Sequence, residues 1–397
     1  METSDSVDLH SSLSRQASTE VVSTEKETPV QSLTITNQVE VGVFSEGINC
    51  CKWSRNGKQF AAGGGEGMLT VYNFDGDSHE SSLYASFSCG NEILSLDWGY
   101  PTTESNRDLI VYGTQEGGLG VMNATANTAL FETTLPGVLA VVSVAFSPLM
   151  TSYCAATLGG STPLSFWDLA TNKMVVDGAA LGAGVRVNCL EYLSSGAGLY
   201  CGCADGHIRL FDVRSNRVVS NEQVSTGQIS GMRVLVTPEE GAVMFCCSTD
   251  GVVREFDCRS MSKISLKCNV ESPSRNCICE YPLRKSVTTT AVPRADINYS
   301  PALRLLAVAA NHQEGLAIFN RGQSAQIYSD AVVNHLSYSV DLNVDQSTII
   351  AGTTDCALEM LRFTTLWIVC SRKQRKRGEG NDCGGSIGRK CRCLAVW

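Results

Sequence analysis

V-R-V-N-C-L-E-Y-L-S-S-G-A-G-L-Y-C-G-C-A-D-G-H-I-R-L-F-D-V, residues 185–213, decides how the rest of the chain is read. Val187 to Tyr192 alternates apolar and polar side chains, as a half-buried strand does. Ser194-Ser195-Gly196 marks a turn, and Leu199 to Cys203 is a second short apolar strand. Asp205-Gly206 is a two-residue hairpin signal, which predicts a type I′ turn with positive φ at both centres. Ile208 to Phe211 forms a third strand closed by Asp212. Three strands this short are not stable alone in water, so the pattern has to recur.

It recurs at residues 229–257, which end S-T-D-G-V-V-R-E-F-D. Asp250-Gly251 replaces Asp205-Gly206, and Phe256-Asp257 replaces Phe211-Asp212. The same grammar ends third strands at Asn73, Asn123, Asp168, Asn320 and, most degenerately, Arg362. Successive units are about 45 residues apart, a period of four-stranded propeller blades. One interval is longer, and its excess falls in residues 262–293, read as an insertion or long connection before unit six. Residues 31–41, Q-S-L-T-I-T-N-Q-V-E-V, alternate well and precede the first full unit. A strand there can complete the last blade and remove an exposed sheet edge. The inner strand of unit seven is expected over Val333 to Tyr338.

The repeat therefore predicts an all-β, seven-bladed WD-repeat β-propeller over residues 31–366, its last blade closed by the N-terminal strand. Trp167-Asp168 is the one literal Trp-Asp pair at a third-strand end. Residues 1–30, rich in Ser, Thr and Glu, read as a disordered arm. Arg15-Gln-Ala-Ser18 within it is a chance-level match to a basophilic kinase site. Residues 367–397 form a Gly-rich, basic tail. A charge block of this kind is ordinarily disordered, with nuclear targeting or anionic-lipid contact as its functional readings.

Composition narrows the function. The 397 residues carry a formal charge of −9, which argues against a nucleic-acid platform. No apolar run is long enough to span a bilayer, and the first residues are too polar and acidic for a secretory signal. The 18 cysteines then belong in a reducing compartment, mostly as small buried hydrophobes. No C-x-x-C pair is present, and the five histidines are scattered, so neither metal nor cofactor is expected. G-x-S-x-G, H-E-x-x-H and Walker-type motifs are absent, and G-G-G-E-G at 63–67 sits on a hairpin without a following helix. An enzyme is not expected. The turns between second and third strands carry an acid in six units: Glu66, Glu116, Asp205, Asp250, Glu314 and Asp355. Such turns share one propeller face, so the acids could form a ring that steers a basic partner. They could equally serve only the turns themselves. No Gly-His pair precedes the inner strands, which predicts that the buried hydrogen-bond network associated with that pair is missing.

In order and wording the units resemble the C-terminal propeller of the WD repeat-containing protein 91 family. The residues that carry the resemblance are I-N-C-C-K-W-S with G-M-L-T-V-Y-N-F (48–74), I-L-S-L-D-W (93–98), L-S-F-W-D (164–168), V-N-C-L-E-Y with C-A-D-G-H-I-R-L-F-D (187–212), S-T-D-G-V-V-R-E-F-D (248–257) and V-P-R (292–294). It runs over roughly residues 33–366. The family's N-terminal helical and coiled-coil region has no counterpart in these residues, and the tail after Leu366 has none in the family. The resemblance implies a cytoplasmic protein peripheral on endosomes, acting in early-to-late conversion. It also implies restraint of the class III phosphatidylinositol 3-kinase complex and binding of an active late-endosomal Rab GTPase. The alternative is a generic WD-repeat adaptor, such as a ubiquitin-ligase substrate receptor, in cytosol or nucleus.

Overall fold

The computed structural model describes residues 32–100, 108–149, 152–159, 162–182, 184–237, 241–258, 277–283, 293–312, 315–329, 337–343, 348–353 and 356–366. The expected arm and tail, Glu314 and Asp355 lie outside the described residues.

The described strands form seven four-stranded antiparallel sheets. Each is a blade, with strands a to d numbered outward from the axis. The inner strands β2 (Ile48–Trp53), β6 (Ile93–Trp98), β10 (Val138–Phe146), β14 (Val187–Tyr192), β18 (Ile229–Thr237), β22 (Ala295–Ser300) and β26 (Ser337–Leu342) neighbour one another in ring order. The ring closes because β1 (Ser32–Val43) pairs with β28 (Ala357–Leu366) as the outer strand of blade seven.

Two readings need correction. The inner strand of blade seven is described over Ser337–Leu342, ending four residues past the expected end at Tyr338, while 333–336 lie outside the described residues. Its Ser339 and Asp341 point polar atoms at blade one, accepting the Cys51 and Trp53 N–H groups at 2.9 and 2.7 Å, and this polarity disguised the strand. The long interval before blade six is not one insertion. Strand β21 (Cys277–Pro282) interrupts it as the outer strand of blade five.

Packing explains why no blade stands alone. Seven apolar clusters lie between neighbouring blades rather than inside them. Phe166 of blade three stacks on Phe211 of blade four at 5.4 Å, both essentially inaccessible to solvent. Each burial therefore depends on the next sheet, as in other repeat architectures.

The residue that ends each third strand has a definite task. Asp168 Oδ1 accepts the Thr171 N–H at 2.7 Å, Asp212 Oδ1 the Arg214 N–H at 2.9 Å, and Asn123 Oδ1 the Ala126 N–H at 2.8 Å. These are Asx turns, in which a short side chain caps the c–d connection. Asn172 and Asn216 then take positive φ in two of those turns, a conformation asparagine tolerates. Hence Asp or Asn recurs at this position in six blades, with Arg362 in its place in blade seven.

The hairpins of blades four and five also differ from expectation. Gly206 and Gly251 have φ of 78° and 88°, but Asp205 and Asp250 are not at positive φ. Gly206 N–H bonds to Cys203 O at 3.2 Å, and Gly251 N–H to Ser248 O at 3.1 Å. Each is a three-residue loop, a type I turn followed by a left-handed glycine. The type I′ geometry occurs instead in blade two, where Glu116 and Gly117 both have positive φ.

Candidate functional site: the axial channel and its mouth

Strand alternation places the b–c turns and d–a connections on one face and the a–b and c–d turns on the other. Glu66, Glu116, Asp205 and Asp250 all lie on b–c turns. Their carboxylates are differently engaged. Glu66 accepts from the Ser45 hydroxyl and backbone, while Glu116 is exposed. Asp205 forms a two-bond pair with Arg209 at 3.0 and 2.6 Å. Asp250 pairs with Arg254 at 2.7 Å and accepts from the Ser225 and Ser248 hydroxyls.

Those contacts overturn one expectation. Blade five does hold a buried polar network despite lacking a Gly-His pair. Ser225 from the preceding connection, Ser248 of strand b, Asp250 of the turn and Arg254 of strand c are linked by hydrogen bonds. The signal lay in the sequence, because arginine follows the turn aspartate by four in both D-G-H-I-R and D-G-V-V-R. Burial would raise the Asp250 pKa, but the Arg254 guanidinium and the hydroxyls outweigh it and hold the carboxyl below its ordinary value. Asp205 is lowered in the same balance against Arg209.

Sequence reasoning missed the charged residues that line the axial channel. Near the foot of every inner strand an aromatic or aliphatic residue packs outward: Trp53, Trp98, Phe146, Tyr192, Val234, Tyr299 and Leu342. The residue before each is Lys52, Asp97, Ala145, Glu191, Arg233, Asn298 and Asp341. Five of these seven carry charge. The recurring signal was C-K-W, L-D-W, L-E-Y, M-R-V and V-D-L in one register. Their side chains border a cavity of about 240 Å³.

The charges are paired across blades. Arg55 reaches Asp97 at 2.7 Å and lies over the Tyr100 ring at 4.2 Å. Arg233 meets Glu191 at 3.5 Å, and Lys52 meets Asp296 at 3.5 Å. Burial would lower the Lys52 pKa, but the Asp296 and Asp341 carboxylates outweigh it and keep the ammonium charged. Burial raises Glu191 above the usual carboxylate range, although Arg233 opposes the shift. Two acids also bind backbone of the next blade: Asp341 accepts the Trp53 N–H, and Asp97 the Phe146 N–H at 2.9 Å. Asparagines repeat the theme in another register, since Asn49 donates to Ile93 O at 3.0 Å and Asn188 to Ile229 O at 2.9 Å.

Chemically, the channel offers paired charges and amides rather than reactive groups. The lining thiol Cys50 is pushed up to about 12 by burial, so it is not a thiolate at neutral pH. Burial raises Cys189 well above its ordinary value too. Among the described residues no group of three or more His, Cys, Asp or Glu is placed to hold a metal ion.

The repeat, the ring of seven sheets and the closing strand define the chain as a WD-repeat β-propeller. A WD domain, G-beta repeat, matches residues 38–73, and the anaphase-promoting complex subunit 4 WD40 domain matches residues 168–237. More particularly, the chain is similar to WD repeat-containing protein 91. It is 26% identical to the Dictyostelium discoideum homolog over 47% of this chain and 23% of that protein. The Danio rerio protein is 27% identical over 49% of this chain and 28% of its own length. The matched segment thus spans less than a third of these relatives. A crystal structure of the β-propeller domain of Cps50 (Swd1) from Myceliophteria thermophila superposes with a TM-score of 0.63 at 16% identity. It covers 84% of this chain and all of that one, a likeness of fold. Fold and relatives together support a protein-interaction scaffold, and propellers of this kind are typical of non-enzymatic scaffolds.

Proposed function

We propose that the chain is a non-enzymatic interaction platform in endosomal trafficking. It acts peripherally on endosomes during early-to-late conversion. Its protein partners include an active late-endosomal Rab GTPase and the class III phosphatidylinositol 3-kinase complex, which it restrains. The carrying observation is similarity to WD repeat-containing protein 91 along about half the chain. The b–c face, where the channel opens among polar side chains, is the docking face in this reading. Binding surfaces on a rigid scaffold are composites of loops, and the seven blades supply that scaffold.

The test is a capture experiment with the full chain and a panel of Rab GTPases, each loaded with GTP analogue or GDP. GTP-dependent retention of a late-endosomal Rab is the expected result. Retention of none, or retention regardless of nucleotide, removes the Rab assignment. Imaging the chain with and without residues 371–397 tests location independently. A nuclear signal that depends on those residues counts against endosomes.

A further inference from the structure

Arg294 lines the cavity at its b–c mouth, at the head of blade six, whereas Arg186, at the head of blade four, lies outside the lining and donates to Asn188 Oδ1 at 3.1 Å. Arg294 begins blade six just after Pro293, and its backbone is fixed on both sides by Asn311: Arg294 N–H to Asn311 Oδ1 at 2.8 Å, and Asn311 N–H to Arg294 O at 3.0 Å. Its guanidinium then crosses the mouth on the b–c face. It donates to Leu94 O of blade two at 2.8 Å and Asn49 Oδ1 of blade one at 3.4 Å. Blade six is also the one described blade whose inner strand pairs without a register shift at its start.

The partners of Arg294 are neutral. Lys52, Arg55 and Arg233 each have a carboxylate within the channel. Among the described residues Arg294 has only a carbonyl and an amide oxygen, and it is half-buried. A guanidinium carries five N–H donors, so its two side-chain contacts leave three without an acceptor among the described residues. The acid beside it on the mouth, Glu92, already accepts from Asn49 at 2.9 Å and Gln115 at 3.4 Å.

We propose that the b–c mouth of the channel is a carboxylate-binding pocket anchored by Arg294, which receives an aspartate or glutamate side chain from a partner protein. The inference rests on the reading of this face as the docking face. A planar carboxylate matches the free edge of a guanidinium, and a hydrogen bond between ionised groups is about twice as strong as a neutral one. Among the described residues lining the cavity, Arg294 is the arginine at this mouth, above four channel carboxylates; that suits a monoanion rather than a phosphate, which is recognised by clustered cations. The exposed Glu66 and Glu116 and the half-buried Glu92 on the same face disfavour a wholly acidic segment. The inserted acid is therefore flanked by lysine or arginine.

The probe is an array of nine-residue peptides with a central Glu, lysines three residues to either side and random residues elsewhere. A matched array carries a central Gln. The full chain is expected to retain Glu peptides at least tenfold better than their Gln partners. Arg294→Gln should erase that preference, and Arg294→Lys should keep part of it, with melting temperatures confirming that each variant folds. If Arg294 served only as a structural tie, Arg294→Gln would weaken all peptides equally. Equal retention of Glu and Gln peptides, or a preference that survives Arg294→Gln, overturns the proposal while leaving the docking face intact. Failure to retain any peptide while Rab capture succeeds also overturns it, and spares the platform reading.

Discussion

Glu255 is the most consequential buried charge in the fold, and removing its partner is the sharpest test of the packing argument. It is 1% exposed, at a strand position that holds Val71, Val121, Phe166, Leu210, Ile318 and Met360 in the other blades. Its carboxylate accepts from the Tyr281 hydroxyl at 2.6 Å and from Arg321 of blade six at 2.7 and 2.8 Å. Tyr281 in turn accepts the Gly322 N–H at 3.0 Å, so blades five and six are stapled by one network. Arg321→Ala strands the carboxylate in an apolar interface. Breaking a buried pair from one side costs about 3–5 kcal/mol, which in a domain of this size lowers Tm by roughly 5 °C. Replacing both partners with apolar residues, Glu255→Leu with Arg321→Met, should recover most of that loss, because buried pairs seldom outperform well-packed side chains. Equilibrium urea unfolding of the wild type, Glu255→Leu, Arg321→Met, Arg321→Ala and the Glu255→Leu/Arg321→Met double variant measures the coupling. A double variant no more stable than Arg321→Ala, or a single variant costing under about 1 kcal/mol, refutes the account of a buried, mutually dependent pair.

Three further outcomes follow from the same geometry. Asp205 and Asp250 have folded pKa values below their unfolded ones, so their contribution is complete above the ordinary carboxylate pKa and is lost as pH falls through the folded value; the urea midpoint should drop in acid, and Asp250→Asn should flatten part of that drop. A Cβ at Gly231 would stand 2.0 Å from the Ala295 backbone oxygen, so Gly231→Ala should destabilise by about 1–3 kcal/mol or more, read as a lower urea midpoint with the slope unchanged. Phe166→Ala empties the contact with Phe211 between blades three and four and should cost about 3–5 kcal/mol; a loss under 1 kcal/mol by the same measurement would mean the neighbouring sheets close the gap.

Much of the architecture was legible because one task recurs in several blades. Asp168, Asp212 and Asn123 cap turns with their own side chains, and the third strands ending in them kept a readable spacing. The ring-closing strand was legible from alternation in residues 31–41. Blade seven was misplaced because Ser339 and Asp341 serve a neighbouring blade rather than an apolar core, and an apolar pattern does not register that. The channel was not read at all. Its residues come from strands far apart in sequence, and Lys52 meets Asp296 only because the ring brings blades one and six near a common axis. Local motifs record what a strand does for its own sheet. Cross-ring pairing is a property of closure, so Arg294 and Leu94 could not be joined from the sequence.

The closing strand also sets a clock. β1 leaves the ribosome ahead of the other described strands, and its partner β28 follows more than three hundred residues later. At about 5–20 residues per second, the wait is roughly 15–60 s. For that time β1 has no native partner, and blades one to six present an arc with two open ends. A nascent chain in this state is exposed to foreign strands and proteases, and its survival depends on how quickly blade seven emerges to claim the strand made first.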